Sequence, residues 1–220
     1  MGFARYLLVL NFALAVLASK NISQNLQEDL AQELSLKPCE SAESSTNKVD
    51  SAKCKAIVAY LEKSCKNRGA QACTALGYLY ENGLGVAKNI KRALSYYTRA
   101  CDLRSGFGCV NAGAIYAEAK NYKEANGYFS RACELRNADG CFNAGVSHLY
   151  GQGAMESEFF AKIHFNDAIE LYAERCERRD ASACEMLANV YNDGIIAEAN
   201  AQKSQLFRQK ACEIEARFCE

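Results

Sequence analysis

Cysteines recur along this chain at nearly constant spacing, and this regularity constrains the fold more than any other feature. Four pairs enclose seven residues and a fifth encloses six: Cys65/Cys73, Cys101/Cys109, Cys133/Cys141, Cys176/Cys184 and Cys212/Cys219. Twelve cysteines can in principle pair in thousands of ways. The repetition nevertheless predicts that each short-spaced pair forms its own disulfide, and Cys39 then pairs with Cys54 by elimination.

The same cysteines mark an internal repeat. The segments that begin at Cys73, Cys109, Cys141 and Cys184 align with one another, and each has a small residue four positions after its cysteine: Gly77, Gly113, Gly145 and Ala188. Within each unit the apolar residues fall on one face of a helix with 3.6 residues per turn, and links that contain glycine supply turns. We therefore predict an all-α fold, a right-handed solenoid of α/α hairpins.

The alignment also predicts the boundaries of the units. A half unit covers 52–71, and four repeats follow at 72–107, 108–139, 140–182 and 183–220. Residues 19–51 precede them as a capping helix, with Leu26, Leu30 and Leu34 on one face, and a polar linker. The second repeat lacks the Gly-x-Gly link, and we expect an insertion in the third repeat around Met155 to Lys162.

The first 18 residues are typical of a cleavable signal peptide. A short basic start precedes the apolar run Tyr6 to Leu17, and small residues stand at Val16 and Ala18. The run is short for a membrane span, so we favour cleavage after Ala18 over a retained anchor. The mature chain would then be secreted or periplasmic, where an oxidising environment allows all 12 cysteines to pair.

Charge and composition exclude several classes of partner. Basic and acidic residues balance at 26 each, so nothing attracts the chain to nucleic acid or to anionic lipid in general. We expect a monomer with no cofactor and no membrane contact after signal cleavage. Cys-x2-4-Cys knuckles are absent and His148 and His164 stand alone in the sequence, which argues against a structural or catalytic metal site.

Three short motifs carry a family resemblance. The segments Leu76-Gly-Tyr-Leu-Tyr80, Gly83-Leu-Gly-Val86 and Tyr96-Tyr-Thr-Arg-Ala-Cys101 resemble the Sel-one-like repeat, a relative of the tetratricopeptide repeat. With the Cys-x7-Cys spacing and the signal peptide, residues 54–219 are similar to the Helicobacter cysteine-rich protein family. That resemblance implies penicillin binding with slow β-lactam hydrolysis, which is a β-lactamase activity, whereas the wider superfamily mostly binds proteins and peptides.

No catalytic motif supports hydrolysis. Ser45-Thr-Asn-Lys48 matches the Ser-x-x-Lys element of serine β-lactamases, but a chain this rich in serine and lysine is expected to contain about one such match by chance, and the accompanying Ser-Asp-Asn and Lys-Thr-Gly elements are absent. His148 occupies the position of Tyr80, Tyr116 and Tyr191, which favours a packing role. Glu118 and Asp193 remain the candidate general bases.

A polar face on the first helix of each repeat is the candidate binding surface. Positions two, five and nine after the leading cysteine point away from the apolar stripe, towards the concave side of a solenoid. The candidate groove residues are Tyr78, Asn82, Asn111, Asn143, Tyr150 and Asn189. Two hypotheses follow: a β-lactam-binding protein with weak turnover, or a non-catalytic scaffold for a peptide, a peptidoglycan fragment or a protein partner. An ordinary solvated helix face is the simpler alternative.

Overall fold

A computed structural model describes Cys39, residues 48–194 and residues 196–219. Consecutive helices account for almost all of these residues. Within these ranges there are nine α-helices, a terminal 3-10 helix at Ala216–Phe218 and no strand. The α-helices are α1 Lys48–Lys66, α2 Ala70–Asn82, α3 Ile90–Asp102, α4 Gly106–Glu118, α5 Tyr122–Glu134, α6 Ala138–Leu149, α7 Glu158–Glu177, α8 Ala181–Asp193 and α9 Ala201–Ile214. The all-α prediction is confirmed.

Each helix packs against the next one in the chain, so that α2/α3, α4/α5, α6/α7 and α8/α9 form four hairpins. The first helices α2, α4 and α6 also contact one another in series. The result is the predicted solenoid of helical hairpins. None of the helices in the described ranges combines the length and the apolar composition that a bilayer span requires. The predicted signal peptide and capping helix lie outside those ranges.

Side-chain caps fix where most helices begin. A short polar residue precedes six of the helices, and its side-chain oxygen accepts a hydrogen bond from the backbone N–H three residues later, which satisfies a donor that has no partner within the helix. These residues are Asn89, Ser105, Asn137, Ser157, Asp180 and Asn200. Two helices, α2 and α8, end on left-handed glycines, Gly83 and Gly194.

All twelve cysteines are paired as predicted, in six disulfides with Cα–Cα distances between 4.4 and 4.9 Å. The four Cys-x7-Cys disulfides each join the end of one helix to the start of the next across a short turn, and so staple successive hairpins together. Each of these turns contains one arginine in the left-handed backbone region: Arg68, Arg104, Arg136 and Arg179. The Cys39–Cys54 disulfide fastens the preceding segment to α1.

Glycine allows the two helices of a hairpin to approach closely. A β-carbon built on Gly113 would lie 2.6 Å from the Phe129 ring, and one on Gly145 would lie 2.6 Å from the Phe165 ring. Gly77 stands in the same relation to the Tyr97 ring. A small residue at this position is therefore required by close helix packing in the first three hairpins.

The third repeat does contain extra residues, but they lie in α7. The predicted position of the insertion, around Met155 to Lys162, is therefore wrong. The links after α2 and α6 are closed by equivalent bonds, Asn89 N–H to Tyr80 O and Ser157 N–H to His148 O, and each spans the same nine positions. In contrast, α7 has 20 residues and α3 has 13. Seven residues add almost two whole turns, so the buried face of α7 continues without rotation, from Phe165 to Tyr172.

A buried polar cluster holds the added turns in place. Asp139, in the first turn of α6, is completely buried, and its Oδ1 accepts a 2.7 Å hydrogen bond from the Tyr172 hydroxyl. Arg175 lies 3.7 Å from Asp139 Oδ2 and 2.8 Å from Asp180 Oδ2. Burial raises the pKa of Asp139, although the Arg175 charge and the Tyr172 hydrogen bond act in the opposite direction.

Candidate functional site

The predicted groove residues divide into a buried group and an accessible group. Tyr78, Asn111 and Asn143 are only 8%, 6% and 2% exposed, so the prediction that their helix face is open to solvent is wrong. The first helices α2, α4 and α6 also contact one another, and a prediction made from a single hairpin does not include such contacts. These residues belong to the packed interior rather than to an exposed row.

The accessible group lies mainly near the carboxyl ends of the first helices. Asn189 and Glu118 are exposed, and Asn82 and Tyr150 are half-buried. The side-chain amide of Asn82 donates to the Tyr78 carbonyl at 3.0 Å, and burial raises the pKa of Tyr150. Asp193 is the last residue of α8, and its side chain lies outside the described part of the structure. These residues are the polar groups that an incoming ligand can reach.

Only one end of the Asn143 side-chain amide has a hydrogen-bond partner. The side-chain nitrogen donates to the Asp139 backbone carbonyl at 2.9 Å, and the Asn143 backbone carbonyl accepts from the Ser147 hydroxyl at 2.9 Å. Its side-chain Oδ1 is buried and has no hydrogen-bond partner among the described residues. A buried acceptor without a donor costs free energy, and at 2% exposure this side chain is closed to a donor from outside the chain. Asn111 occupies the equivalent position one repeat earlier.

The two candidate general bases belong to different hairpins. Glu118 ends α4 in the second hairpin, and Asp193 ends α8 in the fourth. The structure describes only the last residue of the Ser-x-x-Lys candidate. Lys48 begins α1, and Ser45 lies outside the described residues. The described residues therefore add no support for a hydrolytic site.

Sequence reasoning missed a pair of histidines. His148 on α6 and His164 on α7 stack with their ring centroids 5.5 Å apart and their planes 16° apart, so the expectation that they stand alone is wrong. Burial, followed by the neighbouring His148, lowers the pKa of His164, while Asp167 opposes that shift. One signal could have revealed the pair: the two histidines are 16 residues apart, as are Tyr80 and Tyr96, which also stack.

Comparison with known proteins finds the Sel1 repeat four times in this chain, at residues 70–105, 112–137, 138–171 and 181–213, which together cover more than half of it. A Sel1-like repeat-containing protein of Acanthamoeba polyphaga mimivirus is 35% identical over 60 residues, which are 27% of this chain and 11% of that protein. The chain thus matches about a tenth of that relative's length.

Two solved structures resemble the chain in its fold. One is c5321, a protective antigen present in uropathogenic Escherichia coli strains, with 24% identity, a TM-score of 0.56, and coverage of 75% of this chain and 35% of that one. Helicobacter pylori cysteine rich protein B is 29% identical, covers 60% of this chain and 93% of its own, and gives a TM-score of 0.45. The first similarity supports the fold, and the second superposition is too loose to inform function.

Proposed function

Since the chain belongs to the Sel1 repeat family, we propose that it is an extracytoplasmic binding scaffold that holds a peptide segment of a protein partner along its first helices. The six disulfides indicate an oxidising compartment outside the cytoplasm. They also stiffen a stack of hairpins, so that side chains from successive repeats keep a fixed spacing. A rigid row of equivalent positions suits recognition of an extended chain.

The accessible polar side chains towards the carboxyl ends of the first helices carry this proposal. Asn82 ends α2, Tyr150 directly follows α6, and Asn189 lies in the second half of α8. Side-chain amides can hold a peptide backbone through hydrogen bonds, and an aromatic ring can cover it. Polar groups that recur along several hairpins favour an extended ligand over a compact small molecule.

A peptidoglycan fragment or a β-lactam is a narrower alternative for the same surface, because both present peptide-like amide groups. This alternative rests on family resemblance, and no contact among the described residues favours it. We therefore regard binding as the selected property and expect no turnover of β-lactams.

Selection of peptides from a random library on the purified, oxidised protein tests the proposal. We expect binders whose affinity falls at least about tenfold in Asn189→Ala, equivalent to one lost hydrogen bond of about 1.4 kcal/mol. Asn166→Ala, an exposed amide on α7, is the matched control and should bind as the wild type does. Failure to select any peptide, or equal losses in both variants, would argue against a peptide-binding surface here.

A parallel assay with labelled penicillin and a chromogenic cephalosporin tests the alternative. Turnover that is lost in Glu118→Ala would replace the scaffold proposal with an enzymatic one. Penicillin binding that is lost in Asn189→Ala without turnover would instead favour a cell-wall peptide as the ligand class.

A further inference from the structure

One pair of stacked rings recurs in every complete hairpin of the solenoid. The ring seven residues after the leading cysteine stacks on a ring of the second helix, with centroids 5.4 to 5.9 Å apart: Tyr80/Tyr96, Tyr116/Tyr128, His148/His164 and Tyr191/Phe207. The third hairpin thus replaces two apolar rings by two imidazoles, which are both of the histidines in the chain. Packing alone does not require this replacement, since the other three hairpins pack with Tyr or Phe rings at these positions.

Hydrogen bonding assigns the tautomer of the first imidazole. His148 Nδ1 lies 3.0 Å from the Met155 carbonyl oxygen. A carbonyl oxygen can only accept, so Nδ1 carries the proton of the neutral ring and Nε2 keeps its lone pair. Metal-binding histidines are commonly oriented in this way, with one ring N–H donating to a backbone carbonyl.

The second imidazole is held in a similar manner. His164 Nδ1 lies 3.8 Å from Cys133 Sγ, and that sulfur is bonded to Cys141. A disulfide sulfur has no proton to donate, so the weak contact again places the proton on Nδ1 and leaves Nε2 as the available base. The same disulfide prevents Cys133 from becoming a thiolate ligand.

A carboxylate lies beside the second imidazole. Asp167 follows His164 by three residues on α7, and its carboxylate lies within 4.8 Å of a ring nitrogen of His164 and of Cys133 Sγ. Asp167 is exposed and His164 is half-buried, so water and ions have access to them. Two neutral imidazoles and one carboxylate suit Zn²⁺, Ni²⁺ or Cu²⁺, whereas Mg²⁺ and Ca²⁺ prefer oxygen ligands alone.

We propose that the third hairpin binds one divalent transition-metal ion of the Zn²⁺ type, through Nε2 of His148, Nε2 of His164 and the carboxylate of Asp167. Two nitrogens on a tetrahedral ion are about 3.3 Å apart, closer than the 5.5 Å between the stacked ring centroids. The two rings therefore have to turn their edges towards each other, and the ion replaces the stack as the link between α6 and α7. This site does not depend on the proposed peptide surface.

Zn²⁺ titration of the tag-free, oxidised protein tests the site by NMR. Because the chain has two histidines, the imidazole region contains one set of signals from each, and both can be followed without assignment of the whole spectrum. We expect both sets to shift together and to stop shifting at one equivalent of Zn²⁺. Unchanged imidazole signals in excess Zn²⁺, or a shift of one ring alone, would overturn the proposal.

The solenoid itself offers the matched control. The double variant His148→Tyr/His164→Tyr rebuilds the stacked pair of the first hairpin, so it should fold and keep its thermal transition. By calorimetric titration we expect its Zn²⁺ affinity to fall at least tenfold, with a several-fold fall in Asp167→Asn. Wild-type affinity in the folded double variant would show that Zn²⁺ binds elsewhere and would refute the site.

Discussion

The Tyr172 hydroxyl donates a 2.7 Å hydrogen bond to Oδ1 of Asp139, and this bond ties the two added turns of α7 to the first turn of α6. Both side chains are fully buried. The lengthened helix is thus anchored to its own hairpin before the chain reaches the next disulfide, and it does not project as a free extension.

Removing the Tyr172 hydroxyl should lower the stability of the folded protein. In Tyr172→Phe the ring still packs, but Asp139 Oδ1 is left buried without its donor, and we expect the free energy of unfolding to fall by about 1 to 3 kcal/mol. Chemical denaturation measures this difference. Tyr60→Phe, at a side chain that is 67% exposed, is the control and should change stability by less than about 0.5 kcal/mol.

The buried Asp139 should also give stability a distinctive dependence on pH. Burial raises its pKa in the folded state above the unfolded value of about 3.9, so the folded protein holds this proton more tightly. The contribution of Asp139 is therefore most favourable in acid and is lost as pH rises from about 4 through the raised folded pKa. Unfolding curves of the wild type and Asp139→Asn, compared at each pH, should show the difference shrink in that direction. A difference that grows with pH would show that Arg175 outweighs burial.

Two glycines in adjacent helices should respond in opposite ways to the same substitution. Gly113→Ala places a methyl group against the Phe129 ring and should destabilise the protein by about 1 to 3 kcal/mol through overpacking. Gly127→Ala meets nothing within 4 Å and should stabilise α5 by about 0.5 to 1 kcal/mol. Thermal unfolding of the two variants compares them directly, and a loss of stability in both would mean that the close approach is not the cause.

The disulfides should differ in their contribution to stability. Replacing Cys101 and Cys109 with alanine opens a loop between two packed hairpins, and we expect a loss of about 2 to 3 kcal/mol. The Cys212–Cys219 disulfide joins α9 only to the terminal 3-10 helix, so Cys212→Ala/Cys219→Ala should cost less. Equal losses in denaturant titrations would show that the interior disulfide gains nothing from its position between hairpins.

Much of the fold was predictable because the sequence repeats its own constraints. Cys101 and Cys109, Gly113 and the ring of Phe129 each recur at equivalent positions, so several independent features point to the same hairpin. The insertion in the third repeat was predicted at the wrong position because its seven residues add almost two full helical turns. Phe165 and Tyr172 then fall on the same face, and no break in the pattern shows where the extra residues lie.

The candidate site was less predictable for a different physical reason. A helical wheel shows which face of α6 packs on α7, but it carries no information on the other packing that buries Asn143. The pairing of His148 with His164 likewise depends on contact between two helices. Each histidine alone looks like an isolated substitution of an aromatic residue.

The stapled turns alter what a protease can do to this molecule. Residues 103–105 lie between α3 and α4, and the Cys101–Cys109 bond bridges the same turn. A cut peptide bond there leaves the two pieces covalently joined and the helices on either side still docked. Such a molecule keeps its full mass until a reductant is added, so the solenoid can be nicked at a stapled turn and still present one continuous surface.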